Sequence, residues 1–227
     1  MIKFSLKTLS LSFAIVFALM AIFPGGIVRA ETTGEQVFLP ALADFAASLA
    51  NPNASPSQVT GVYVEGVMAL PVVQQPANQP GYVSSTAETI TQFAAASNYG
   101  STGLLAHNHL AGKHFFSITT GSILTVVYGD GQTRYYKVAS VNQYQALSPN
   151  SPYSQFINLM QPDVVLSSSD LFYQTYGLGD VLILQTCIAK GNEPSWGRLF
   201  IIAEPYENHT LAKVSKETVH YGMPVAQ

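Results

Sequence analysis

The 227-residue sequence contains a single cysteine, Cys187. An internal disulfide is therefore excluded. The thiol is left as a buried filler, a bridge to another chain or a nucleophile. Charge is scarce, at 10% of residues, and no basic run occurs. That argues against a nucleic-acid partner, which calls for a basic patch or stripe. Beyond the N-terminus there is no second long apolar stretch, and no internal repeat is evident. His107-Asn-His109 together with Cys187 has the residue types of a zinc site, but no fourth ligand is apparent. No metal and no cofactor is expected.

What is present begins with a leader. Residues 1–30 read as a signal peptide, with Lys3 and Lys7 ahead of an apolar stretch from Leu9 to Phe23. Pro24-Gly25-Gly26 follows, then Val28-Arg29-Ala30 at the cleavage end. The stretch is short against the roughly 20 residues of a membrane span. A cleaved signal and an uncleaved anchor both remain open. Either places the rest outside the cytoplasm, secreted or attached to the outer face of the membrane. Lys3, Lys7 and Arg29 account for three of the ten basic residues, so seven face the 13 acidic ones in the remainder. Solubility then rests on neutral polar side chains. The sequons Asn53-Ala-Ser55 and Asn208-His-Thr210 matter only in a glycosylating host.

The remaining chain has room for one domain and a short extra element. Residues 31–57 are expected to form a helix and linker. Phe38, Ala41, Leu42, Phe45 and Leu49 recur at helical spacing over Gln36–Ala50, ahead of a Pro/Asn-rich stretch. Residues 58–205 are expected to form the main domain, and 206–227 a C-terminal tail. Val62–Val73 reads as one or two strands interrupted near Gly66 and Pro71. Ser85-Thr-Ala-Glu88 has the capping-box pattern and predicts a helix running to Ala96. Leu104–His107 is a short strand. Ile123–Tyr128 and Thr133–Val141 flank Gly129-Asp-Gly131 as a hairpin. Gln143–Asp163 reads as a polar loop, and Ser168–Tyr176 as a short helix stopped by Gly177. Val181–Cys187 and Leu199–Ala203 are buried strands joined by a loop, Ile188–Gly197. Strands dominate, and a closed or partly closed β-barrel is the expected architecture.

A cysteine nucleophile needs a proton partner and a group that holds the developing oxyanion. His107 stands where a predicted strand runs into a loop, the place where a rigid scaffold presents reactive groups. Arg198, eleven positions after Cys187, opens a strand and carries a permanent charge with five N–H donors. His109 and His114 read as loop or surface residues, and Asp180 as a turn residue. Phe115, Phe116, Tyr135 and Tyr136 read as barrel core.

Over roughly residues 59–205 the chain resembles the sortases, cysteine transpeptidases of bacterial cell surfaces. The resemblance is carried by Leu104-Leu-Ala-His107 with Gly112 and Phe115-Phe116, and by Gly121–Tyr128 with Tyr135-Tyr-Lys-Val138. Leu182-Ile-Leu-Gln-Thr-Cys187 and Trp196-Gly-Arg198-Leu-Phe-Ile-Ile-Ala203 complete it. The resemblance implies a mainly β fold, a sortase-like eight-stranded β-barrel with a few short helices. It implies Cys187 as nucleophile, His107 as general acid/base and Arg198 as carbonyl or oxyanion stabiliser. It implies that Thr186 helps orient substrate and that Trp196, in the loop after Cys187, walls the groove. The partners implied are a surface protein or peptide with a sorting motif and an amine acceptor, from peptidoglycan or a pilin lysine. A non-catalytic peptide- or glycan-binding module on the same barrel, or a secreted cysteine peptidase with the same site, are the other readings. Three positions depart from the family pattern. Ala106 stands where glycine usually precedes the histidine, Ile183 stands where threonine is usual, and Gln143–Pro162 has no acidic residue for a calcium site.

Overall fold

The computed structural model describes residues 38–51 and 53–207, all within one compact unit, Val37–Gln227. The expected leader, the start of the helix-and-linker segment, the second sequon, His209, His220 and most of the expected tail lie outside the described residues. Among the described residues no helix is long and apolar enough to cross a membrane.

Ten strands form one sheet in the order β10-β9-β4-β3-β2-β1-β5-β6-β7-β8. They are β1 (Val59–Val64), β2 (Met68–Gln74), β3 (Ile90–Phe93), β4 (Thr102–Leu105), β5 (Ile123–Tyr128), β6 (Thr133–Ala146), β7 (Phe156–Asn158), β8 (Gln161–Leu166), β9 (Leu182–Lys190) and β10 (Glu193–Pro205). β10 also pairs with β6, which closes eight of the strands into a barrel. Closure removes the open edges that an eight-stranded sheet would otherwise expose. β6 is long enough to serve three neighbours. Residues 136–145 pair with β10, while on its other edge 133–137 pair with β5 and 144–146 with β7. The β7–β8 hairpin therefore projects beyond the barrel rim.

The barrel is filled by inward residues of its strands, among them Val62, Met68, Leu104, Tyr136, Leu184 and Ile201. Two helices pack outside. α1 (Leu42–Leu49) lays Phe45 and Ala46 against Val127. α3 (Ser168–Tyr176) lays Leu171 and Tyr176 over Ile183, Phe200 and Ile202. A capping box starts α3: Ser167 accepts the Asp170 N–H, and Asp170 accepts the Ser167 N–H. Gly177 ends it, as its sequence predicts.

Five expectations need correction. The capping-box pattern at Ser85 starts no helix; Ile90–Phe93 is a strand, and α2 (Ala94–Ser97) is a single turn. Glu88 has φ 54°, outside the right-handed helical region, and Ile90 pairs with Val72 of β2 while Thr91 pairs with Leu105 of β4. Sheet pairing of a β-branched run overrides the local signal. Second, the stretch Gln143–Asp163 is not a loop throughout, because it contains the end of β6, β7 and the start of β8. Residues 161–165 of β8 are all exposed, so no apolar alternation marks that strand. Third, the expected loop Ile188–Gly197 is mostly hairpin, turning at Gly191-Asn192 with Gly191 at φ 59°. Fourth, Phe115 and Tyr136 are core, but Phe116 is 47% exposed and Tyr135 half-buried. Pro71 lies within β2 rather than interrupting it.

Candidate active site

β9 lies between β4 and β10 and carries the cysteine. Its side chains alternate between two environments. Leu182 and Leu184 belong to the barrel core, and Ile183 to the outer core beneath α3. In the same alternation Thr186 points inward and is 2% exposed, while Cys187 points outward and is half-buried.

Arg198 stands directly opposite Cys187 in the antiparallel β9–β10 ladder. Directly opposed residues share a face and are near neighbours. On the other edge β4 runs parallel to β9, with Leu104 beside Leu184 and Leu105 beside Gln185. The Ala106 N–H donates to the Gln185 carbonyl at 3.2 Å, so pairing continues past the end of β4. That register sets Ala106 beside Thr186, and His107 follows two residues past the end of β4. Leu104 and Ala106 face the barrel core, and His107 is half-buried. Cys187 and Arg198 thus face each other across the β9–β10 ladder, and the chain leading to His107 runs along the other edge of β9.

Several contacts hold this arrangement. The Thr186 hydroxyl donates to the Ala106 carbonyl at 2.8 Å. The His107 carbonyl accepts the N–H groups of Leu110 and Gly112, both at 3.0 Å. A Cβ on Gly112 would collide with Thr186 Oγ1 and come within 2.7 Å of the His107 carbonyl oxygen, so only glycine fits. The 3-10 helix Ala111–Ser117 continues from there and buries Ala111 and Phe115 in the barrel. The Ala106 methyl, unusual against the family pattern, enters the same core at 6% exposure. Asn108 Nδ2 donates to the Pro194 carbonyl at 3.0 Å, which ties the histidine loop to the hairpin beyond the cysteine.

Arg198 donates through Nη1 to the carbonyls of Ser195 (2.8 Å) and Gly197 (2.9 Å), and through Nη2 to that of Pro149 (3.2 Å). These bonds use three of its five N–H protons. None of the ion pairs among the described residues includes Arg198. Its charge is therefore held in place by neutral carbonyls. The Ser195 hydroxyl lies 3.9 Å from Cys187 Sγ and donates to it. Trp196 is half-buried two residues before Arg198, with Lys190 Nζ 4.4 Å from its ring centroid. Thr186, by contrast, has its hydroxyl inside the barrel and bound to Ala106. It ties the segment before His107 to β9.

Beside Arg198 lies a pocket of about 150 Å³ lined by Phe93, Phe156, Phe172, Tyr176, Gln185 and Phe200, with Arg198 as its one charged group. A cavity of that size takes a guest as large as benzene. The Tyr176 hydroxyl donates to Gln185 Oε1 at 2.6 Å, and burial pushes its pKa well above the usual phenol range. Apart from Arg198, none of these lining residues was singled out from the sequence as a site residue, since each reads as an ordinary apolar or polar position of a strand or helix.

The other candidates lie elsewhere or at the edge. His109 is exposed, with its ring centroid 5.6 Å from that of His107. His114 Nε2 is 2.6 Å from Glu88 Oε2. Asp180 receives a bidentate pair from Arg134 at 2.9 and 2.6 Å, away from the thiol. Among the described residues no group of three histidine, cysteine or acidic side chains is placed to hold a metal ion.

No family model matches the sequence, and no curated protein matches it. Similar solved structures include sortase C-1 from Actinomyces oris, at 13% identity and TM-score 0.42 over 76% of this chain and 84% of that one. Sortase C from Clostridium perfringens is similar at 14% identity and TM-score 0.41, over 73% and 83%. Sortase A from Listeria monocytogenes is similar at 12% identity and TM-score 0.40, over 66% and 89%. The chain is mainly β with a closed eight-stranded barrel, and these three solved structures are sortases.

Proposed function

We propose that this protein is a sortase-type cysteine transpeptidase acting outside the cytoplasm on a sorting-motif peptide. The observation that supports the reading is the order across the sheet: His107 two residues past the end of β4, Cys187 on the neighbouring β9 and Arg198 opposite it on β10. Cys187 is the nucleophile, His107 the general acid/base and Arg198 the group that receives the carbonyl oxygen. A positive charge beside a thiol favours the thiolate, the reactive form. None of the ion pairs among the described residues offsets the Arg198 charge.

In the first step the Cys187 sulfur attacks a backbone carbonyl carbon of the peptide, and the negative charge gathers on the oxygen near Arg198. The intermediate collapses with cleavage of the C–N bond, and His107 gives its proton to the departing amine. A thioacyl enzyme remains. A second amine then attacks the thioester carbonyl and passes a proton to His107, and the sulfur leaves. Amines from peptidoglycan or a pilin lysine are the acceptors proposed. The same thioester resolved by water makes the protein a peptidase. The pocket beside Gln185 and Arg198 binds an apolar side chain of the peptide near the scissile bond, and Trp196 walls the groove on the hairpin side. The leader delivers the domain to the cell exterior, cleaved or as an anchor.

The test is mass spectrometry of the soluble domain after incubation with a sorting-motif peptide library and an amine acceptor such as triglycine. The expected result is an acyl adduct on Cys187 that disappears as the amine-linked product forms. Folded protein without any adduct, across the library, sinks the proposal. In Cys187→Ala the adduct and the product are both lost while the fold is kept. Iodoacetamide should alkylate Cys187 at least severalfold more slowly in Arg198→Ala; an equal rate would show that Arg198 does not act on the thiol.

A further inference from the structure

Aromatic rings from β3, α3 and the turn before β4 extend the lining of the pocket outward. Phe93 and Phe172 meet edge to face at 6.2 Å, and Phe93 and Tyr176 at 5.2 Å. Phe172 in turn meets Tyr99 at 5.4 Å and Tyr173 at 5.6 Å, and Tyr99 and Tyr173 meet each other at 5.6 Å. Edge-to-face contacts at these separations are the preferred geometry of aromatic pairs. The base of the row sits on Gly103, where a Cβ would press on Tyr176, Ala96 and Phe93 at 2.8, 2.9 and 3.2 Å. Gly103 is level with Ile183, so the row crosses β4 and β9 toward their far end from Cys187.

Packing accounts for the inner part of this row. Tyr176 is 2% exposed and Phe93 is packed against the α3 core. It does not account for the outer part. Tyr99 is 40% exposed and Tyr173 55% exposed, two touching rings left in water at the end of a continuous apolar track. A side-chain hydrogen bond with Tyr173 raises the Tyr99 phenol pKa above its ordinary value. Contiguous exposed apolar surface, unlike scattered single residues, marks a contact site.

We infer that the peptide groove continues past the pocket onto the Tyr99–Tyr173 pair, which binds a second apolar or aromatic side chain of the same substrate polypeptide. This rests on the proposed role of Cys187. The occupant follows from continuity: one row of rings joins the pair to the pocket, whose only charged lining group is Arg198. The span follows from strand geometry. Ile183, level with Gly103 at the base of the row, lies four residues from Cys187 on β9, about 13 Å at roughly 3.3 Å per residue, and the exposed pair lies beyond it, which sets the distal side chain about five residues of extended peptide away. The groove then reads two side chains, one near the scissile bond and one about five residues away.

Because Cys187 is the only cysteine, peptides can be tethered to it through a reversible disulfide. The probes are eight-residue Ala/Ser peptides bearing one Phe moved through each position. One series carries a C-terminal cysteamine disulfide and the other an N-terminal mercaptoacetyl disulfide, which between them read both chain directions. The measured quantity is the β-mercaptoethanol concentration that releases half of the peptide. In one series, Phe next to the tether and Phe about five residues from it should each raise that concentration, on the order of fivefold, the scale of one aromatic pair. The double variant Tyr99→Ala, Tyr173→Ala should erase the distal maximum and keep the proximal one, which reports an intact groove. Tyr99→Phe with Tyr173→Phe should keep both. A missing distal maximum, or one that survives the double alanine variant, overturns this inference alone. Loss of both maxima in the unmutated protein overturns the groove as well. Since disulfide tethering needs no catalysis, a protein that tethers with both maxima yet forms no acyl adduct would fail the proposed function and leave the groove standing.

Discussion

The two faces of β9 diverge along the stretch from Leu182 to Cys187. Inside the barrel, Leu182, Leu184 and Thr186 are 0, 0 and 2% exposed, an even burial up to the residue before Cys187. Outside, Ile183 is 0% exposed under α3, Gln185 is half-buried at the pocket, and Cys187 is half-buried at the open end. One face is filled throughout, and the other grades from core to surface. The inner face is governed by volume and the outer face by access. Cys187 sits where the outer cover ends but the inner support does not. A thiol placed there has a rigid strand behind it and a groove in front.

The largest effects should come from emptying the inner face. Leu184→Ala should cost about 2–5 kcal/mol, the range for a fully buried leucine, read as a lowered guanidinium midpoint. Its outward counterpart Cys187→Ala should stay within about 0.5 kcal/mol of the unmutated protein, as half-buried positions without a key contact do. A Cys187→Ala penalty as large as that of Leu184→Ala would erase the distinction between the faces. Next comes Gly112→Val, which drives a branched side chain into Thr186 and the His107 carbonyl. Overpacking of this kind costs roughly 1–3 kcal/mol. Here it should also slow Cys187 acylation by displacing His107. In a Thr186→Ala background, where part of the obstruction is gone, Gly112→Ala should cost less than in the unmutated protein, measured as a double-mutant cycle.

How far the sequence foretells this arrangement depends on whether a feature is local. The apolar run Val181–Cys187, the Gly129-Asp-Gly131 hairpin and the Ser168–Tyr176 helix are legible because short-range pattern and chain geometry agree there. β3 is not, because its capping-box signal competes with strand pairing to β2 and β4 that no local window contains. β8 is not, because its exposed residues carry no alternation and backbone pairing alone holds it. The expected trio of Cys187, His107 and Arg198 came from residue types and a resemblance. The register that sets the strand before His107 beside β9 joins segments eighty residues apart in parallel, and spacing along the chain does not encode it. Thr186 teaches the same lesson at short range. Beside a nucleophile it reads as a substrate contact, yet the alternation of a single strand turns its hydroxyl to the opposite face.

That difference of face is directly testable at Thr186. Thr186→Val keeps the shape and removes the bond to the Ala106 carbonyl, which should cost about 0.5–1.5 kcal/mol in thermal or chemical unfolding. Thr186→Ser keeps the donor and should recover part of the loss. If the hydroxyl acted on substrate instead, Thr186→Val would raise the peptide KM and leave stability unchanged.

The smallest expected effect lies furthest from the thiol, on the support of the 3-10 helix. Glu88 holds a left-handed backbone conformation, φ 54°, that a non-glycine side chain adopts only when its surroundings compensate. Its carboxylate is bound by Lys113 and by His114, two successive residues of the helix that follows His107. Partial burial raises the Glu88 pKa, but the bonds and charges of Lys113 and His114 outweigh it, and the net shift is downward from 4.5. A lowered folded pKa means stability that is present above the unfolded value and is lost as pH falls through the folded one. With 43% of the side chain exposed, the pair is worth no more than roughly 0.2–1 kcal/mol. Glu88→Gln should therefore lower the Tm by a degree or a few near pH 6, about the scale such an energy gives, and the gap to the unmutated protein should close below pH 4.5. Glu88→Gly removes the ion pair and the backbone strain together, so it should fall between the two near pH 6. A Tm gap that widens as the pH drops would assign Glu88 a role opposite in sign.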